Sequence, residues 1–597
     1  MDPSGSCLLA HSSSLKHLRY NLGALGRGSS PPESEEPPNP HSPAEGKRGW
    51  SQRRNAAARD RLRERERKKH QPLTCCHCAV VFDRRALSLS TGIHTVRRPS
   101  RCAQDLTFDS RAGDQGDLGL RWGGVPRGVK MTERNELFMR DTDAFSWYLE
   151  ADPGLRATIV AIAWLDARPD FEVLAARLER ATRLAPRFRQ RPLQPPGRLA
   201  TPRWVETDFD LSLHLRRMES SRPHTRATVI NFARIEAMSS FDFSRPLWQF
   251  TLVENLVGDR AALVMKVHHS LTDGIGGAQL ALLLFETTSE TDPGDDVPIP
   301  DGSEAAPGVV DLLRSSIAYD RHRVFQVIRR GLSDALPAVM HVVRDPLGST
   351  SDALATALSI SRFVQPVSDT LSPVMTRRSL DRYLNMISVD FHDLKQAATS
   401  VGGSLNDVFV ASVTGGLRRY HERHGTSVGE LRITMPISIR KENDPVASNR
   451  ITLARFKVPV GVADPAVRVQ LTGERCRSAR DERALPLSNS IAGTLNLLPS
   501  GVVGSMLKHI DLLASNVPGI KVPLYLGGAP VSGYYAFGPT TGSAVNATLF
   551  TYCGTCCVGF TIDTAAVPDY DVLMGCFREG FEEVLDLAGD HHPVELA

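Results

Sequence analysis

The stretch from Ala261 to Glu286, AALVMKVHHSLTDGIGGAQLALLLFE, constrains the fold more than any other part of the chain. Ala261 to Val267 is a short apolar run rich in β-formers, interrupted only by Lys266, and predicts a core strand. Asp273-Gly274 marks a turn, Gly276-Gly277 precede a run from Ala278 to Glu286 that reads as a helix, and the glycines let that helix approach closely. Two histidines, His268 and His269, therefore stand at the mouth of a strand, before a tight connection into a helix.

An unperturbed imidazole has a pKa near ~6.5, so it can accept a proton at cellular pH without large tuning. Adjacent strand residues point to opposite faces, so the two histidines should not share one job: one faces a site, the other supports the backbone or packs inside. Asp273 could accept a hydrogen bond from a ring nitrogen or hold the turn through an arginine. The pair could also be incidental. Metal binding lacks a third ligand at a recognisable spacing, and no G-x-S-x-G elbow follows a strand, so serine-hydrolase chemistry lacks support.

Strands and helices alternate on both sides of this segment. ATIVAIAWLD (Ala157 to Asp166) reads as a buried strand and Phe171 to Pro186 as an amphipathic helix ended by proline. A second unit starts near Leu380, with a strand at Met386 to Phe391 and then a long helix. Ser404 and Asp407 form an N-terminal capping pattern there, and Gly425 closes the helix. Leu431 to Arg440 alternates as a strand. SAVNATLFTYCG and CCVGFTID predict two neighbouring strands, and Val572 to Gly589 a closing amphipathic helix. Cys553, Cys556 and Cys557 fall in that alternating run, where buried thiols are the plain account. The expected fold class is α/β, with two units at 131–300 and 376–597.

Between them, 301–375 is a linker. It follows an acidic, proline-bearing stretch, and Val309 to Val343 sets apolar residues among Arg314, Arg321, Arg323, Arg329 and Arg330. Such a basic-faced helix pair either lies on a lipid interface or packs against the rest of the protein.

Residues 1–130 have another character. They hold SSPPESEEPPNPHSPAEG and a basic run, Lys47 to Lys69, with eleven Lys/Arg against three Asp/Glu, so the formal +4 of the chain is a property of this extension. A helix there would be polar all round, which predicts a solvated, disordered segment rather than a nucleic-acid-binding one. Met131 is a candidate start of the working protein. Cys75, Cys76, His77 and Cys78 cluster without a second pair at zinc-finger spacing, and ten cysteines in 597 residues do not describe a disulfide scaffold. With no secretory signal in the first thirty residues and no window of eighteen apolar residues free of charge, the expected location is cytoplasmic, resting at most on a membrane surface.

HHSLTDG resembles the HHxxxDG motif of the acyl-CoA-dependent acyltransferases with the chloramphenicol acetyltransferase fold, which include peptide-synthetase condensation domains. The chain is more similar to the bacterial wax ester synthase/acyl-CoA:diacylglycerol acyltransferase family, mycobacterial type. Arg245-Pro246-Leu247-Trp248 resembles that family's PLW element and Asn406-Asp407 its ND element. MPISIR (Met435 to Arg440) resembles its arginine strand, and Ser515-Asn516-Val517-Pro518-Gly519 its SNVPG segment. The likeness runs from about Asn135 to Gly589. Ser448-Asn449 stands where the family commonly has Gly-Asn, and TYCGTCC where serine and tyrosine are more usual.

The resemblance implies two chloramphenicol acetyltransferase-like domains with a tunnel at their interface, acyl-CoA as co-substrate, no cofactor and no metal. It implies diacylglycerol or a long-chain alcohol as acceptor, and contact with the inner membrane or lipid inclusions. By position His269 is the base, His268 its neighbour, and Asp273 with Gly274 the turn, Asp273 paired with Arg440. Pro246, Leu247 and Trp248 read as packing or as acyl-channel contacts, Asn406 as oxyanion donor or channel support, Asp407 as substrate-channel or support residue, and Ser515 and Asn516 as a turn or channel segment.

Overall fold

A computed structural model describes residues 137–198, 200–272, 274–290, 308–319, 367–438, 451–482, 488–496, 498 and 500–596. The expectations for residues 1–130, Asp273, Arg440, Ser448-Asn449 and most of the linker fall outside them.

Helix α1 (Asp141–Leu149) leads into β1 (Thr158–Leu165) and α2 (Phe171–Leu184). A ladder of β2 (Gln190–Leu193) with β3 (Arg203–Glu206) follows. Then come β4 (Leu215–Glu219), α3 (Arg226–Met238), β5 (Trp248–Leu256), β6 (Arg260–His268) and α4 (Gly274–Leu284). The second half contains β7 (Arg382–Asp390), α5 (Phe391–Ser400), α6 (Leu405–Arg423), β8 (Glu430–Ser438), β9 (Ile451–Pro459), α7 (Pro465–Arg480), α8 (Ser488–Leu495) and α9 (Ser500–Leu507). It ends with β10 (Leu512–Ile520), β11 (Tyr525–Leu526), β12 (Ala529–Phe537), β13 (Val545–Tyr552), β14 (Thr555–Asp563), α10 (Tyr570–Leu585) and β15 (Glu595–Leu596).

Local chemistry explains the boundaries. Asp170 caps α2, accepting from the N–H groups of Glu172 and Val173, and Pro186 follows its end. Ser404 and Asp407 make a reciprocal capping box on α6, and Gly425 at φ 67° takes the left-handed conformation after its last turn. The long helix expected after Phe391 is two helices, α5 and α6. Gly274, Gly276 and Gly277 lie within α4 rather than before it.

Two sheets result. The first has the order β11-β12-β1-β6-β5-β4 and the second β15-β7-β14-β13-β10-β8-β9. β12 pairs antiparallel with β1, Val160 opposite Phe537. Strands from the second half of the chain thus complete the sheet of the first half, so the division at 376 separates chain segments but not sheets. In the second sheet β10 runs parallel to both β13 and β8, and β14 buries Cys556 and Cys557.

Behind it α6 and α10 pack backbone to backbone. A Cβ on Gly416 would stand 2.6 Å from Phe577, and one on Gly580 2.3 Å from the Ser412 carbonyl oxygen. Arg468, fully buried, pairs with Glu583, and Arg382 with buried Asp563 at 2.9 Å. Such pairs satisfy each other's charge inside the core, where either group alone would be costly.

Helical residues 309–319 turn Leu312 and Ser316 inward and stack Tyr319 on Phe138 at 4.4 Å, while Val309, Val310 and Ile317 face solvent. The segment therefore packs against the protein with one side and keeps a second apolar side open. No helix among the described residues is long and apolar enough to cross a membrane.

Candidate active site

β6 carries the histidines to the edge of the first sheet. His268 lies opposite Thr158 on β1, and its N–H donates to Leu247 O at 3.0 Å, so Leu247 holds the end of β6 directly. The next residue continues the ladder: His269 N–H donates to Ala157 O at 2.9 Å.

His268 is fully buried, with Ser270 on one side of its ring and Glu150 on the other. Its Nδ1 accepts the Ser270 N–H at 3.1 Å and faces the Ser270 hydroxyl at 2.7 Å. That arrangement assigns the ring proton to Nε2, which lies 3.2 Å from Glu150 Oε1. Trp147 and Phe241 close around the ring edge-to-face, at 6.2 and 5.8 Å.

Glu150 follows α1 and is itself buried. Burial pushes its carboxyl up, but the His268 ring N–H, the Ala157 N–H and Arg156 outweigh that and hold it below its ordinary value. Its Oε1 accepts the Ala157 N–H at 2.8 Å. One carboxylate therefore ties His268 by the side chain and, through the Ala157 peptide, the backbone of His269.

Alternation along β6 sends His268 and Lys266 to one face and Met265 and Val267 to the other. Lys266 is buried on the first face, 2.7 Å from Ser239 Oγ and 3.2 Å from Glu236 Oε2. The second face meets a cavity of about 80 Å³ lined by Met265, Val267, Thr272, Ala278, Val517 and Phe550 among others, nearly all apolar. His269, half-buried, has the parity of Val267 and stands at the end of this cavity's strand. An imidazole at the end of a strand that lines an apolar slot suits transfer of a hydrocarbon-bearing acyl group to a hydroxyl. At about 80 Å³ the slot is below the ~300–1,000 Å³ of typical small-molecule sites, so a long chain must widen it.

The other residues singled out in the sequence divide. Pro246, Leu247 and Trp248 are buried, with the Trp248 indole N–H donating to Phe188 O at 2.8 Å and its rings stacked on His214 at 4.6 Å. They pack and hold β6. Ser515 and Asn516 belong to β10 rather than to a turn; the register slips between Val517 and Ile520. A Cβ on Gly519 would stand 1.6 Å from Thr551 O, so the glycine allows this close approach. β10 packs on α4, and its Val517 lines the cavity, which brings this segment to the site.

Asn406 and Asp407 stand elsewhere. They open α6 against α7, where Cys476 is pushed up to about 12 by burial and Asp407, with Asn406 hydrogen-bonded to the thiol pulling the other way. No described contact joins Asn406 to the histidines, and its buried Nδ2 has no hydrogen-bond partner besides the thiol.

Glu150 was not legible beforehand. It is 118 positions from His268, and only the register of β1 on β6 brings them together.

The wax ester synthase/diacylglycerol acyltransferase catalytic domain model matches residues 139–409, and the C-terminal domain model of the same family residues 447–584. The putative diacylglycerol O-acyltransferase Rv2484c of Mycobacterium tuberculosis is 35% identical over 452 residues, 75% of this chain and 91% of the relative. The putative diacylglycerol O-acyltransferase Rv3087 of the same organism is 28% identical over 454 residues, covering 73% and 92%. Among solved structures, the first condensation domain of the calcium-dependent antibiotic synthetase superposes with a TM-score of 0.52 at 16% identity, covering 77% of this chain and 98% of that one, a likeness of fold. With the HHSLTDG site and both domain models in place, the chain belongs to the wax ester synthase/diacylglycerol acyltransferase family.

Proposed function

We propose that this acyltransferase moves a long-chain fatty acyl group from acyl-CoA to the free hydroxyl of diacylglycerol, and also to long-chain alcohols, with His269 as general base. The acceptor hydroxyl gives its proton to the His269 imidazole as its oxygen attacks the thioester carbonyl. The tetrahedral intermediate collapses by breaking the carbon–sulfur bond. The CoA thiolate leaves and takes up the proton that the imidazolium returns, so no acyl-enzyme forms and no cofactor is consumed. Asp273 is assigned to the turn that holds the pair, with Arg440 as its partner.

The observation that carries this reading is the contrast between a His268 fully buried between Ser270 and Glu150 and a half-buried His269 just past the end of the strand that lines an apolar cavity. Family membership supports the donor and the lipid acceptor. The exposed Val309, Val310 and Ile317 support reading residues 309–319 as a contact with a lipid surface.

The test is the full chain with radiolabelled acyl-CoA and a panel of acceptors. Labelled triacylglycerol is the expected product, with wax ester when long-chain alcohol is supplied. Absence of ester with every lipid acceptor, or transfer only from a carrier-protein thioester, would refute the assignment.

A further inference from the structure

A second cavity, of about 230 Å³, opens at the opposite end of the first sheet. Trp164 on its wall lies opposite Ala262, six residues along β1 from Thr158, which lies opposite His268; at ~3.3 Å per residue that is about 20 Å away. Trp164 also has the parity of Thr158, so the cavity is on the His268 face of the sheet, away from His269 and its apolar slot.

Its lining carries Arg226, Arg260 and His224 and no carboxylate. Among the described residues neither arginine has an ion-pair partner. Arg226 lies over the Trp164 ring at 5.3 Å, and Arg260 Nε donates to Val257 O at 2.9 Å. Thr225, also on the wall, is the N-cap of the 13-residue helix α3 and makes no side-chain capping bond, so the first-turn N–H groups of α3 gain no acceptor from it.

Two buried ring nitrogens lack partners. Trp164 is 4% exposed, yet its Nε1 has no partner, and His224 Nδ1 has none. The pyrrole edge of Trp164 lies against Gly533, where a Cβ would stand 3.5 Å from Cδ1, next to Ser532 on the cavity wall. An indole N–H only donates, so what completes it is an acceptor. Two forked guanidinium groups, an open helix N-terminus and an orphan indole N–H together match a phosphate.

We propose that this cavity is a binding site for a phosphate group, distinct from the acyl-transfer site, and that a lipid headgroup is its natural source. The apolar part of the wall, Leu165 and Leu256 with Val257 58% exposed at the rim, suits the glycerol and first methylenes of a phospholipid. Inorganic phosphate is the other source of the same chemistry.

The test is calorimetric titration of the full chain with dihexanoylphosphatidate below its micelle concentration and, separately, with inorganic phosphate. Wild type is compared with Arg226→Gln/Arg260→Gln and with Trp164→Phe, which keeps the ring and deletes the donor. Both arginines are exposed, so the double variant should keep the wild-type melting temperature. The expected result is affinity for phosphatidate at least ten-fold weaker in the double variant and several-fold weaker in Trp164→Phe. Phosphatidate binding with phosphate too weak to measure identifies the lipid source. Equal sensitivity of both probes to the substitutions supports a phosphate site while replacing the lipid with the free ion. Equal affinity of wild type and both variants for both probes overturns the proposal.

Discussion

The two faces of one strand are built for opposite purposes. On the His268 face of β6, near the strand end, polar side chains meet polar side chains: His268 sits between Ser270 and Glu150, and Lys266 between Ser239 and Glu236. On the other face Val267 and Met265 border an apolar cavity, and His269 stands at its strand end. The proposed function makes the motif one structural histidine and one chemical histidine, separated by the pleat. A buried polar network is rigid when fully satisfied and costly when broken, which makes the contrast breakable in a graded way.

The largest effect on stability belongs to His268. His268→Ala leaves the buried Glu150 carboxylate with Arg156, 3.9 Å away, as its remaining side-chain partner, and the expected loss is roughly 3 kcal/mol, measured by denaturant unfolding. A loss under about 1 kcal/mol would mean that the network is not holding the strand end.

Glu150→Gln should cost less, about 1–3 kcal/mol near neutral pH, and the cost should depend on pH. The folded chain holds Glu150 below its ordinary value, so the unfolded chain takes up the proton first as pH falls. The carboxylate's contribution is complete above the unfolded value of about 4.3 and disappears as pH drops through the folded one. Unfolding curves of wild type and variant should therefore converge below about pH 4. A gap constant from pH 7 to pH 3 would deny the charged role.

The opposite face is probed by size. Ala278→Leu narrows the cavity without touching the network, and should lower kcat/KM for long acyl donors about ten-fold, or about 1.4 kcal/mol, while sparing short ones. An equal loss at all chain lengths would separate this cavity from acyl recognition. Ser270→Ala removes one hydroxyl partner of His268 and keeps the Ser270 N–H, for an expected loss of about 1 kcal/mol.

Much of this strand was legible in advance. The apolar run before the histidines is β6, which extends it by one residue at each end, and ATIVAIAWLD is β1, one residue shorter at each end, because burial on both faces leaves an unbroken apolar signature. The capping box of α6 was equally plain, being local chemistry. What escaped depended on distant pairing. β12 joins the sheet of the other half of the chain, which no local periodicity announces. Ser515 to Gly519 has turn-forming residues but is held extended by β13. The hydrogen bond of Asn406 to Cys476 across α6 and α7 was not legible either. Glu150 enters the site only through the register of β1 on β6.

The division of labour between the histidines is tested most directly by His269→Ala, measured for kcat with acyl-CoA and diacylglycerol and for melting temperature on the same preparation. The account predicts a fall in kcat of roughly 10²–10⁴-fold with the melting temperature unchanged, the reverse of the His268→Ala pattern. A kcat near that of wild type in a folded His269→Ala protein would contradict it.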